Sequence, residues 1–99
     1  MASTTLNGKI TKVFPKVQIT ETVSKIEMVI DTEEENKGKI YTQTLLLTFS
    51  GKNIELAKGL KVNDEKTFTV DIRGRVKEKQ DSETRYYTTL SVYRVEALN

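Results

Sequence analysis

The sequence predicts an all-β fold: a five-stranded antiparallel barrel with one short helix between the third and fourth strands. Two observations carry that expectation. Apolar residues recur with a period of two in five successive segments, and only Asn53–Lys58 has the spacing of a helix. There is no internal repeat and no low-complexity linker, so the 99 residues are expected to form one domain, 1–99, with a core that folds without staples.

Met1–Thr5 is small and polar and reads as a disordered leader. Leu6–Phe14 is the first strand, with Lys9 and Lys12 on it. Val17–Val23 is rich in β-branched residues but has no clear period. Alternation resumes at Ile26, Met28 and Ile30, which predicts a second strand, and Asp31–Lys39 is charged enough to read as a hairpin loop. In the third strand, Tyr41–Phe49, the residues Leu45, Leu47 and Phe49 face one way and Thr42, Thr44 and Thr48 the other. Leu46 breaks the rule and predicts burial on both faces. The helix follows, with Leu56 and Leu60 four apart and Gly59 placed as its C-terminal cap, and Val62–Glu65 is a turn.

Phe68–Val95 then reads as one long hairpin. Phe68, Val70, Ile72 and Val76 alternate with Thr69, Asp71, Arg73, Arg75 and Lys77, and Gly74 interrupts the apolar row where a bulge or bend is expected. Lys77–Thr84 has no apolar residue and reads as the solvated tip. On the returning arm Leu90 and Val92 share one face, and Arg85, Tyr87, Thr89, Ser91 and Tyr93 share the other. Phe14, Phe49 and Phe68 are assigned to the core, and Tyr86, of opposite parity to Tyr87, is expected to close it.

Composition excludes more than it assigns. The chain has no cysteine and no histidine, which removes disulfides, thiolate nucleophiles, Cys/His metal sites and imidazole bases together. The acidic run Glu33-Glu34-Glu35 lies in a solvated segment, and no glycine-rich phosphate loop is present. The expectation is a binding protein, not an enzyme, with no cofactor and no metal. No apolar run approaches a membrane span or a signal peptide, so a cytoplasmic location without membrane attachment is expected. A net charge of +2 is too small to indicate a nucleic-acid partner, so the distribution of charge has to decide.

The segments Phe49-Ser50-Gly51-Lys52, Ile72-Arg73-Gly74-Arg75 and Arg85-Tyr86-Tyr87-Thr88-Thr89, in this order around a short helix and a polar loop, resemble the C-terminal two thirds of bacterial-type single-stranded-DNA-binding proteins. They look closer still to short proteins of that kind, of unknown function, from Bacteroidetes and their phages. Leu6-Asn7-Gly8-Lys9-Ile10 and Val13 fit the first strand of the pattern, so the likeness spans the chain. The resemblance implies an OB-fold barrel that binds single-stranded DNA, and RNA as an open alternative, without sequence preference during replication or recombination. It also implies self-association as a dimer or tetramer.

On this reading Arg73, Arg75, Lys77 and Arg85 supply phosphate contacts, with Lys9, Lys12 and Lys52 as further cations. Tyr87, Tyr41 and Tyr93 are the candidates for base stacking. The chain departs from the family pattern in having no tryptophan, in carrying Lys77 where one is expected, and in placing Ser50 near a phenylalanine position. It also ends Arg94–Asn99 without the acidic tail through which such proteins recruit partners. The alternative is that the charged face is merely solvated and the barrel is a protein-interaction or virion-assembly module.

Overall fold

The computed structural model describes residues 2–78 and 83–98. Its elements are β1 (Ala2–Val13), β2 (Val17–Gln18), β3 (Ser24–Asn36), β4 (Lys39–Ser50), the 3₁₀ helix η1 (Gly51–Ala57), β5 (Glu65–Glu78) and β6 (Thr84–Ala97). The sheet runs β1-β5-β6-β4-β3, and β1 pairs again with β3, which closes a five-stranded barrel; β2 adds a short pairing to β3. This is the OB arrangement anticipated from the sequence.

The barrel is mixed rather than wholly antiparallel. Leu47↔Leu90 and Thr48↔Ser91 join β4 to β6 in parallel, while the other pairings are antiparallel. Strand direction cannot alternate all the way round a ring with an odd number of members, so one junction has to be parallel. β1 serves two neighbours: its first part pairs with β5 and its last part with β3. Gly8 stands at the handover, where an added Cβ would lie 2.7 Å from Ile30 Cδ1 and 3.3 Å from the Asp31 carbonyl oxygen.

Ile10, Met28, Ile30, Leu47, Phe49, Phe68, Val70 and Val92 fill the barrel and are fully buried. Ala57 is buried beside them, and Leu56 and Leu60 pack against the cluster, so η1 stoppers one end. It spans Gly51–Ala57 rather than Asn53–Lys58 and is 3₁₀ rather than α. Seven residues without a side-chain cap on the first turn make no long hydrogen-bonded run.

Several expectations are corrected. The leader is strand from Ala2 onward, because Ala2–Thr5 pair with Ile72–Thr69. Asp31–Asn36 is strand, not loop, and pairs residue by residue with Thr44–Lys39. The turn shrinks to Lys37 and Gly38, with φ of 53° and 78°, the two left-handed residues of a tight hairpin turn. The centre of the expected Lys77–Thr84 tip, 79–82, lies outside the described residues, but its flanks are strand, with Glu78 opposite Thr84. Gly74 sits in regular register opposite Thr88, and the bulge falls instead at Thr69/Val70, leaving Tyr93 as the extra residue of β6.

Leu46 is half exposed on the outer wall, and Phe14 is half-buried at the end of β1 beneath Lys12, whose Nζ lies 4.8 Å from the ring centre. Tyr86 is 81% exposed and closes nothing. The cause is shared by Tyr86 and its partner Val76: beyond Ile72 and Leu90 the β5–β6 hairpin leaves the barrel, so inward parity no longer means burial. Extents of 48 × 34 × 24 Å and a radius of gyration of 15.1 Å, against about 13 Å for a compact chain of this size, reflect such projecting arms.

Candidate nucleic-acid interface

The outer face of the β5–β6 arm is built by alternation. Arg73, Arg75 and Lys77 stand on β5 at every second residue, about 6.7 Å apart along the strand, opposite Thr89, Tyr87 and Arg85 on β6. The Arg75 guanidinium carbon lies 5.4 Å from the Tyr87 ring centre, so the two planar groups form one platform. Lys77 opposite Arg85 is a like-charge pair, which disfavours the hairpin. Glu83 tempers it, its Oε2 accepting from Arg85 Nη2 at 3.4 Å.

This face opens into a cleft of about 480 Å³ across β5, β6, β4 and β3. Arg73, Gly74 and Arg75 form one wall; the hydroxyl residues Thr89, Ser91, Thr48 and Ser50 form the floor; Lys25, Glu27 and Ile19 form the far side. Lys25 Nζ is 3.6 Å from Glu27 Oε1, so little net charge stands there. Ile19 is half exposed on a loop tied together by its own polar groups. Gln18 Nε2 donates to the carbonyls of Thr20 (2.6 Å) and Glu21 (3.1 Å), Ser24 Oγ donates to Gln18 Oε1, and the Ile19 and Thr20 amides donate to the Val23 carbonyl. Thr48, Thr89 and Ser91 stand on the outward faces that alternation assigns them, whereas nothing in the sequence marks Ser50 or Ile19 as lining a cleft.

Of the sequence-predicted site residues, Arg73, Arg75, Lys77, Arg85 and Tyr87 come together, and five others stand apart. Lys9 lines a second cleft with Asp31, Glu33 and Glu65, where carboxylates outnumber it. Lys12 covers Phe14, and Lys52 is exposed on η1 at the stoppered end. Tyr41 pairs with Glu34 on the β3–β4 arm, and Tyr93 sits at the β6 bulge beside Arg94, itself bonded to Glu96 at 3.1 Å. Among the described residues no group of acidic side chains could hold a metal ion, and no helix is long and apolar enough to cross a membrane.

Planar guanidinium and phenol groups accept stacked bases, spaced cations meet phosphates, and hydroxyls bond to sugar or phosphate oxygens. Fold and site together define an OB barrel with a basic, aromatic hairpin bordering an open, hydroxyl-floored cleft. Solved structures of the same fold include the protein PriB from Ralstonia solanacearum, at TM-score 0.74 and 5% identity over 99% of both chains. A second structure of that protein gives 0.71 and 7% over 100% of this chain and 99% of the other. The SSB domain of a Synechococcus sp. protein matches at TM-score 0.67 and 22% identity, over 97% of this chain and 94% of that one. The likeness to single-stranded-DNA-binding proteins read from the sequence therefore holds in the fold. The chain belongs to the DUF3127 family, a domain of unknown function whose family model matches residues 5–96. No curated protein matches the sequence.

Proposed function

We propose that this protein binds single-stranded nucleic acid, DNA foremost, without sequence preference, along the β5–β6 arm and the adjoining cleft. One observation carries the reading: Arg73, Arg75, Lys77 and Arg85 gather on one sheet face around Tyr87 at the mouth of the cleft. Phosphates meet the cations, and an unpaired base lies on the Arg75–Tyr87 platform. Duplex bases are already stacked and cannot use that platform, so single strands bind more tightly than duplex. The tryptophans of bacterial-type single-stranded-DNA-binding proteins are absent, so each nucleotide is held less tightly while the salt dependence is kept. The role is to cover or organise single strands during replication or recombination, in a bacterium or its phage, without catalysis.

Self-association belongs to the same reading. The opposite face of the arm carries Ile72, Val76 and Tyr86, all exposed, in a row that the barrel leaves unpacked. A second copy covering that row leaves the basic face free. Titration of a labelled oligothymidylate and of a duplex of equal length at several salt concentrations tests the function. Tighter single-strand binding that weakens steeply with salt supports it. No binding even at low salt contradicts it and leaves the protein-interaction or virion-assembly reading in its place.

A further inference from the structure

Asp71 is the one buried charged residue among those described, 5% exposed, and it lies directly under the proposed interface. Its Oδ2 accepts a hydrogen bond from Arg73 Nε at 2.9 Å. Its Oδ1 is buried with no hydrogen-bond partner among the described residues. A buried carboxylate with one oxygen in an ion pair and the other without a partner is a poor structural choice, since burying an ionised group is unfavourable unless it is fully paired. Neutral asparagine would fill nearly the same space and accept the same bond. The charge itself therefore needs a reason.

Resting on the binding function proposed above, we infer that Asp71 is a restraint on Arg73: a fixed negative charge that weakens the grip of this arginine on a backbone phosphate. The Arg73 side chain is mostly exposed at the cleft wall. Bonding through Nε orients the guanidinium and leaves the outer pair of nitrogens to face a ligand. The same carboxylate offsets the arginine's charge and repels any phosphate seated on it, from a site that salt screens poorly. Orientation and attenuation are thus supplied by one group. Among the described residues Arg75 has no such anion: it leans on the Tyr87 ring. The two arginines are accordingly unequal, with Arg75 the stronger phosphate contact and Arg73 the weaker, exchangeable one at the entrance to the floor. A protein that covers single strands and must later release them gains a faster dissociation from such a restraint.

Asp71→Asn separates the two roles, because asparagine still accepts from Nε but carries no charge. The expected result is tighter binding of oligothymidylate, by about 3- to 10-fold at low salt, with a salt slope steeper by roughly 0.7, the value of one further phosphate contact on a single strand. The gain should appear in a slower dissociation rate. Asp71→Ser, which also removes the charge, should move affinity and slope in the same direction and serves if the asparagine variant does not fold. A merely structural aspartate would give lower thermal stability with equal or weaker binding and an unchanged slope, and that result overturns the inference while the parent's binding stands. A parent that binds no single strand overturns the function and the inference together.

Discussion

The molecule has two long hairpin arms with similar architecture and opposite charge. Both leave the barrel where the core ends, the β3–β4 arm beyond Ile30 and Leu45 and the β5–β6 arm beyond Ile72 and Leu90. The first carries Asp31, Glu33, Glu34 and Glu35, opposed only by Lys37 and Lys39 at its tip. The second carries Arg73, Arg75, Lys77 and Arg85, opposed by Glu78 and Glu83 near its tip. A net charge of +2 conceals this separation, because the two arms nearly cancel. The difference teaches that the potential met by a polyanion is set by which face of which strand holds the cations, and not by their total.

The largest effect should come from exchanging the charges. Arg75→Glu with Lys77→Glu is expected to weaken oligonucleotide binding by about 100-fold or more at low salt, as cations become anions beside phosphates. Glu33→Lys with Glu35→Lys should not weaken binding at all. Fluorescence anisotropy at one low salt concentration compares the two double variants. Equal losses in both would erase the distinction between the arms.

Stacking comes next. Tyr87→Ala removes half of the platform and should cost about 1–3 kcal/mol of binding with the salt slope unchanged. On the opposite face, Val76→Ser with Tyr86→Ser should shift sedimentation toward the monomer and leave oligonucleotide affinity for the isolated arm face intact. An assembly that persists in this variant would place the contact elsewhere.

Stability separates the two arginines further. Arg73→Ala strands the buried Asp71 and should lower unfolding stability by about 1–3 kcal/mol, with the lower end favoured because the guanidinium is largely in solvent. Adding Asp71→Asn should restore most of that loss. Arg75→Ala should change stability by less than about 1 kcal/mol, since its ring contact is exposed. Urea melts of the four proteins read all of these, and equal effects of the two arginine replacements would contradict the proposed inequality.

The sequence revealed the barrel because its core alternates: Met28, Ile30, Leu47, Phe49, Phe68, Val70 and Val92 are all buried where parity put them. Parity failed where the arms project, since Val76 and Tyr86 keep the pattern of a buried row after the barrel has ended, and nothing in a period of two marks that end. The same blindness hid Asp31–Asn36 in a presumed loop, because a charged strand in solvent carries no apolar signal. In the candidate site, the cluster of Arg73, Arg75, Lys77, Arg85 and Tyr87 was legible from two adjacent strands joined by a hairpin. Lys9 stands in the other cleft with Asp31, Glu33 and Glu65, a placement that no period along a strand reveals because it depends on how the barrel closes. Asp71 was hidden by its parity, which matched the wet face although the residue is buried.

The most direct test is the salt dependence of single-strand affinity in the parent and in Arg75→Ala with Lys77→Ala, measured with the same labelled oligothymidylate. If this face grips the phosphate backbone, the plot of log K against log salt is steep for the parent and flatter by roughly 1.4 for the double variant, the share of two phosphates on a single strand. Identical slopes in two equally folded proteins would contradict the account and move any binding to another surface.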